Sequence, residues 1–242
     1  MSALRLNRSL DLELAAETYH RCGRVRVTGL LRPADALRLH AFLDAHDAWW
    51  QLINMPDGLL EIDRKTRAKM GAKRRAALDR TVCAGARTGF QYRYESLRVP
   101  DDPHQRDADD PLSEFARLMA SPAMLAAMQQ ITGHAKIAFA DGHATAYGPG
   151  DFLTGHDDNV AGKQRLAAYV FGLTRVWRPE WGGILLFHEP EGAVVSGHVP
   201  CFNTLDLFAV PQRHSVSMVT ESAAVRRFAV TGWLHGASGM IS

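Results

Sequence analysis

A chain of 242 residues, 46% hydrophobic and 22% charged, can bury one sizeable core, which excludes disorder as its main state. Its 28 basic and 26 acidic side chains leave a net charge of +2, so no general attraction to nucleic acid or an anionic membrane is expected. The three cysteines, Cys22, Cys83 and Cys201, have no paired spacing and read as free thiols. Met1 to Leu14 lacks the apolar stretch of an export signal, and no apolar run approaches the ~18 residues of a spanning helix, so a soluble, cytoplasmic protein is expected.

In chain order, a short strand is expected around Val25 to Leu30. From Pro33 to Asn54, Leu37, Leu39, Phe42, Leu43, Trp49, Trp50 and Leu52 recur near helical spacing behind a Pro-Ala-Asp start, which predicts an amphipathic helix. A second helix, about Lys65 to Val82, carries a run of basic residues from Arg64 to Arg80. A charge run of this kind is ordinarily a solvated face; a substrate or partner surface is the alternative. Asp101 to Asp110 is acidic and turn-rich, hence a loop, and a third helix is expected from Pro111 to about Thr132, ended by Gly133.

After residue 135 short β-prone runs alternate with Gly, Pro and Asp turns: Lys136–Ala140, His143–Tyr147, Leu166–Leu173, Ile184–Phe187, Thr204–Val210, Val216–Val219 and Arg227–Trp233. That pattern predicts an antiparallel sandwich or barrel. The simplest division is one domain, 1–242, with 1–134 a mainly helical support region and 135–242 the β-core.

The stretch YGPGDFLTGHDD, Tyr147 to Asp158, holds the most informative chemistry. His156 and Asp158 are two residues apart, so on an extended strand both would project from one face and could grip one ion. With 11 histidines and 26 acidic residues, about one His-x-Asp/Glu is expected by chance, so the pair alone decides nothing. A second histidine, His214, follows in PQRHSVSMV, and thirteen residues later Arg227 lies in VRRFAVTGW. Two histidines and one carboxylate on one face of an octahedron form the ligand set of non-heme Fe(II) oxygenases, leaving positions for a bidentate 2-oxo acid and for O₂. A dicarboxylate co-substrate also needs a fixed cation, and an arginine on a neighbouring strand supplies it. Asp157 would point to the opposite strand face and is expected not to bind the ion.

From about Phe90 to His235 the chain resembles the prolyl-hydroxylase family of 2-oxoglutarate- and Fe(II)-dependent dioxygenases. It is most similar to the branch that hydroxylates a proline in a small-subunit ribosomal protein. The likeness rests on Tyr147, GDFLTGHDD (Gly150–Asp158), Arg165, WRPEWGGILLF (Trp177–Phe187), Pro200, Asn203, Phe208, His214-Ser215-Val216, Arg227 and Gly232-Trp233. The resemblance implies a double-stranded β-helix (jelly roll) with N-terminal helices packed on it. It implies Fe(II) held by His156, Asp158 and His214, Arg227 on the distal carboxylate of 2-oxoglutarate, and Tyr147 and Trp233 lining the co-substrate pocket. O₂ is then the oxidant, ascorbate a reductant, and a proline-containing protein or peptide the partner. Two positions depart from the family pattern: Ala229 replaces a small hydroxyl residue two after the arginine, and Gly172 replaces a tyrosine that helps hold the distal carboxylate.

A peptide groove is expected between the loop Asn159 to Gln164 and the segment FQYRYESLR, Phe90 to Arg98, whose aromatics and arginines would pack a proline ring and grip backbone carbonyls; the plainer reading is an ordinary strand along which Phe90, Tyr92 and Tyr94 alternate with one half-buried face. His143 and His235 lie near the site; Tyr169 and Phe171 are expected in the core, and Gly182-Gly183 in a turn. Three alternatives remain: hydroxylation of a free amino acid or other small molecule, a jelly-roll binding module without turnover, and a nucleic-acid demethylase. The charge balance, and the lack of a second arginine six residues beyond Arg227, weigh against the last.

Overall fold

Local chemistry places the helices in the computed structural model, which describes residues 3–100, 104, 110–189 and 195–237. Helix α1 (Leu12–Cys22) starts where the Asp11 carboxylate accepts from the Leu14 amide and stops at Gly23, whose φ of 67° gives a left-handed C-cap. Strand β1 (Arg24–Thr28) follows, then α2 (Pro33–Ala45). The helix predicted to Asn54 ends nine residues early, because Trp50–Met55 is a strand (β2). It turns through Pro56-Asp57 into β3 (Gly58–Asp63). The second predicted helix is also divided, into α3 (Arg64–Ala68) and α4 (Ala72–Thr88), and β4 (Tyr92–Arg98) follows.

The third predicted helix is two, α5 (Pro111–Met119) and α6 (Pro122–Thr132). Ser121, extended before Pro122, breaks the run and caps α6 through its hydroxyl, and Gly133 ends it at φ 73°. Of the loop expected at Asp101 to Asp110, only His104 and Asp110 lie within the described residues.

The rest is strand: β5 (Ile137–Ala140), β6 (His143–Tyr147), β7 (Phe152–His156), β8 (Arg165–Leu173), β9 (Leu185–His188), β10 (Val195–His198), β11 (Phe202–Ala209), β12 (His214–Val216) and β13 (Arg227–Gly236). The strands form one curled antiparallel sheet in the order β1-β11-β8-β13-β6-β4-β7-β12-β9-β10, with the β2–β3 hairpin added at β4 and β5 at β13. Its two edges meet where Arg24 on β1 donates to Ser196 on β10 at 2.9 Å. This half-barrel with helices packed on it is the expected jelly-roll core. Residues 1–134 are not only helical support, because β1 to β4 from that region extend the same sheet.

Strand alternation builds two layers. Outward from β8, β11 and β13, Tyr169, Phe171, Leu205, Leu207, Phe228 and Val230 meet α2, α5 and α6 in the main core, where the Phe115 and Phe171 rings stack at 5.0 Å. Inward, Ala168, Val170, Phe208 and Ala229 join Leu185 and Phe187 of β9 around a cavity. Tyr169 and Phe171 are thus core residues, and the Tyr169 hydroxyl donates to the Asp141 carbonyl at 2.8 Å. Among the described residues no helix is long and apolar enough to cross a membrane.

Candidate metal centre

The inner cavity has a volume of about 400 Å³, and a cluster of three potential metal ligands lies in its wall. His156 closes β7, His214 opens β12, and the two strands pair with these residues opposite each other. Their rings lie 4.1 Å apart, and the Asp158 carboxylate stands 3.5 Å from each Nε2, one oxygen toward each ring. All three ligand atoms fall within 4.8 Å of one another.

Each imidazole is fixed by the carbonyl two residues before it: Nδ1 of His156 bonds Thr154 O at 3.0 Å, and Nδ1 of His214 bonds Gln212 O at 2.8 Å. Nδ1 carries the proton in both, so each Nε2 lone pair faces the common point, as a metal-ligating histidine requires. Burial, with His156 second, pushes the His214 pKa down to about 4, which keeps it in the neutral, ligating form. Burial opposes the Asp158 carboxylate, but the His156 hydrogen bond and the two imidazoles outweigh it and hold its pKa below the usual value. The donor set and its preorganisation fit a divalent first-row metal with open positions.

The route to this cluster differs from the strand alternation expected from sequence. β7 ends at His156, and Asp158 reaches the site from a left-handed backbone with φ 61°. A two-residue turn, not a shared strand face, brings Asp158 to His156; aspartate is among the residues that tolerate such a φ. Asp157 caps the turn by accepting from the Asn159 amide at 3.0 Å.

At the closed end of the cavity, Arg227 is 4% exposed with its guanidinium 4.9 Å from the Tyr147 ring centroid, and burial holds its pKa below the usual arginine value. Arg226 points the other way, to Glu95 at 3.5 Å, so Arg227 and not its neighbour lines the cavity. Trp233 lies under the Arg165 guanidinium at 3.5 Å, and Arg165 donates to the Asp158 carbonyl at 3.2 Å. Among the described residues, the buried indole nitrogen of Trp233 and Nε of Arg165 have no hydrogen-bond partner.

One wall is an aromatic ladder: Phe90 against Tyr92 at 5.5 Å, Tyr92 against Tyr94 at 5.5 Å, Tyr94 against Tyr147 at 5.3 Å, with Phe90 also 5.4 Å from His156. Of the arginines expected beside these aromatics, β4 alternation sends Arg93 to the opposite face and keeps Arg98 on theirs, at the far end of the strand. Arg93 bonds Asp79 and the Gly150 carbonyl, and Arg98 is exposed near Glu61. Of the loop expected as the other wall, Asn159 and Val160 line the cavity. His143, 6.3 Å from the Trp233 ring, lines it too, and burial pushes its pKa down to about 4. His235 instead bonds Asp141 and the Lys163 carbonyl and stacks on Phe139. Sequence reasoning did not single out Thr145, whose signal was its alternation with His143 and Tyr147 along β6.

Residues 142–235 match the family model of the 2OG-Fe(II) oxygenase superfamily. No curated protein sequence matches the chain. Among solved structures, a prolyl-4-hydroxylase of Pseudomonas putida superposes with a TM-score of 0.55 at 19% identity, over 93% of this chain and 98% of that one. A Trichoplax adhaerens prolyl hydroxylase, solved with a hypoxia inducible factor oxygen degradation domain peptide fragment, gives a TM-score of 0.61 at 14% identity, over 94% and 90%. A 2OG-Fe(II) oxygenase family oxidoreductase of Burkholderia pseudomallei gives 0.57 at 13%, over 99% of both chains. At these identities the likenesses show the jelly-roll fold alone; the 2OG-Fe(II) oxygenase match covers the segment that holds the His-Asp-His cluster and Arg227, and together these support a dioxygenase that uses Fe(II), 2-oxoglutarate and O₂.

Proposed function

We propose that this oxygenase hydroxylates a prolyl residue in a protein or peptide. The observation that carries the reading is the aromatic ladder Phe90–Tyr92–Tyr94, whose exposed end, Phe90, lies beside His156 of the cluster and whose inner end meets Tyr147. A proline ring packs well on aromatic faces, and a rim open at one side admits a chain that continues in both directions. Fold likeness to two prolyl hydroxylases, one of them solved with a peptide, supports a polypeptide substrate.

In this reading His156, Asp158 and His214 hold Fe(II), and the Thr154 and Gln212 carbonyls keep both imidazoles aimed. Arg227 binds the distal carboxylate of 2-oxoglutarate, with the Tyr147 ring packed against the guanidinium and Trp233 lining the co-substrate end. Fe(II) with 2-oxoglutarate and O₂ supplies the oxidation, in which 2-oxoglutarate gives succinate and CO₂ and one oxygen atom enters a C–H bond. The chain's own part is to position the reactants and exclude water, through an apolar wall of Leu153, Val170, Leu185, Phe208 and Val216.

We place the whole chain, 1–242, in one domain of a cytoplasmic enzyme. Its partner is a proline-containing protein, with the ribosomal-protein branch as the most similar activity, ascorbate as the reductant, and neither nucleic acid nor membrane as partner. The test is mass spectrometry of proline-containing peptides and ribosomal protein fractions incubated with enzyme, Fe(II) and 2-oxoglutarate, then opened to O₂. A gain of one oxygen atom on a prolyl residue supports the reading. Stimulation of 2-oxoglutarate decarboxylation by free proline or small metabolites, with peptides inert, reverses it in favour of a small-molecule hydroxylase.

A further inference from the structure

The closed end of the co-substrate cavity lacks both groups that the family pattern would place beside Arg227, and the fold shows why. Gly172 sits between Thr204 of β11 and Ala229 of β13 as direct cross-strand partners, so the three positions share the inward face. No side chain fits at 172: a Cβ there would lie 2.6 Å from the Cys201 carbonyl oxygen and 2.9 Å from Thr204 Oγ1. Ala229 offers only a methyl group. Of the three neighbours, Thr204 alone carries a hydrogen-bonding side chain.

That hydroxyl is buried and has no hydrogen-bond partner among the described residues. The nearby acceptor is spent: Asp206 takes Nε and Nη2 of Arg26 at 2.7 Å each and Nδ1 of His198 at 2.7 Å. Arg227 is a buried cation that bonds and packs on Tyr147 and feels the Asp206 charge, and among the described residues no carboxylate forms an ion pair with it. Thr204 and Arg227 both line a small cavity of about 10 Å³, which shares Val170, Leu185 and Arg227 with the iron cavity. A volume of roughly 10–15 Å³ accommodates about one water-sized group. A hydroxyl without a partner beside a buried cation that has no ion pair, around room for one oxygen, makes a preformed carboxylate site, because an orphaned buried hydroxyl is costly until something accepts from it.

We propose that Thr204 is the second holder of the co-substrate: its hydroxyl donates to the distal carboxylate of 2-oxoglutarate alongside Arg227, in place of the side chains absent at 172 and 229. This rests on the oxygenase reading of the cavity. It makes Thr204 a specificity residue, one that distinguishes a 2-oxo dicarboxylate from a 2-oxo monocarboxylate.

The test is titration calorimetry of the full chain loaded with Mn(II), using 2-oxoglutarate and 2-oxopentanoate, which has the same carbon chain and no distal carboxylate. Thr204→Val keeps the shape and removes the donor. It should weaken 2-oxoglutarate about tenfold, the loss of one charge-assisted hydrogen bond, and leave 2-oxopentanoate unchanged. Thr204→Ser should restore most of the affinity. The ligand-free melting temperature of Thr204→Val should hold or rise, since the hydroxyl has no partner to lose; a fall would mark a structural role and overturn the assignment. Equal 2-oxoglutarate affinities for wild type and Thr204→Val also overturn it while leaving the oxygenase reading intact. A wild-type protein that binds 2-oxopentanoate as tightly as 2-oxoglutarate, or binds neither, removes the co-substrate reading and this inference together.

Discussion

Removing the His214 imidazole is the sharpest test of the metal centre, because the structure sets its size. His156, Asp158 and His214 are preformed, with both Nε2 atoms 3.5 Å from Asp158 oxygens and both Nδ1 atoms tied to carbonyls, so metal binds the folded state and finds no such site in the unfolded chain. Binding to the folded state alone stabilises by RT ln(1 + [L]/Kd), about 2.7 kcal/mol at a hundredfold excess over Kd. For a chain of this length each kcal/mol moves Tm by roughly 2–4 °C, so Mn(II) should raise the wild-type Tm by about 5–11 °C. His214→Ala and His214→Gln leave two ligands and should lose nearly all of that rise. Each variant is compared with itself in EDTA, so any destabilisation from the vacated imidazole cancels. Asp157→Ala should keep the full rise, since its side chain only caps the turn. A His214 variant with an undiminished metal-dependent shift would refute the three-ligand reasoning.

Arg227→Ala should cost roughly 2–5 kcal/mol of 2-oxoglutarate affinity, as truncating one side of a buried charge pair does, while Mn(II) affinity holds. Arg226→Ala should leave 2-oxoglutarate binding unchanged by calorimetry, because Arg226 faces Glu95. Burial raises the Asp151 pKa from its ordinary 3.8 to about 7, so its contribution to stability is full below the ordinary value and is lost as pH rises through about 7. Asp151→Asn, which cannot ionise, should therefore gain on wild type by up to ~4 kcal/mol between pH 4 and pH 7 and hold that gain above, read by urea unfolding; a gap independent of pH defeats the argument.

What the sequence made legible was the periodic and the local. β6 was expected at the bounds observed, and the other strands expected after residue 135 each shared residues with an observed strand, because apolar alternation survives in single strands. Helix ends were harder, for identifiable reasons. Trp49, Trp50 and Leu52 continue the spacing of α2 by coincidence, yet Trp49 is buried and Trp50 begins β2. Met55-Pro-Asp-Gly58 held the turn signal that would have divided them, since Pro-Asp-Gly between apolar runs favours a tight hairpin over a continuing helix. The single helix drawn from Pro111 to Thr132 overlooked a stronger rule, that the residue before a proline avoids helical backbone.

The site was legible in identity and less so in geometry. His156, Asp158 and His214 stand close enough to share one ion and Arg227 lines the same cavity, but the left-handed Asp158 is invisible to an alternation argument. Arg93 was misplaced because the alternation of Phe90, Tyr92 and Tyr94 was not carried to the residues between them. The same rule that turns Tyr92 and Tyr94 inward turns Arg93 and Glu95 outward. Thr204 shows the opposite limit, a residue with no motif whose meaning comes only from two strands beside it.

The outward face of β4 is what holds the pocket wall in place, and Glu95 tests it. Its carboxylate is 2% exposed and receives Arg64 at 2.9 Å and Arg67 at 2.5 Å, with Arg226 at 3.5 Å, so it ties α3 and the residue before β13 to the strand that carries the aromatic ladder. Burial opposes this charge, but the Arg64 hydrogen bond and the three guanidinium groups outweigh it and hold the pKa below the ordinary 4.5. A group depressed in this way stabilises the fold above its unfolded pKa, and that stability is lost as pH falls through the folded pKa. Breaking a fully buried pair costs about 3–5 kcal/mol. The three arginines are 19–36% exposed, so solvent screening reduces the cost of Glu95→Gln to about 2 kcal/mol at pH 7. Measured by urea unfolding, the gap between wild type and Glu95→Gln should narrow as pH falls below about 4.5, where Glu95 of the unfolded chain begins to take up a proton, and go on narrowing down to the lower folded pKa. Arg226→Ala should recover only part of the effect, because Arg64 and Arg67 remain on Glu95. A gap that stays constant on acidification would mean that the Glu95 side chain acts through packing and not through its charge.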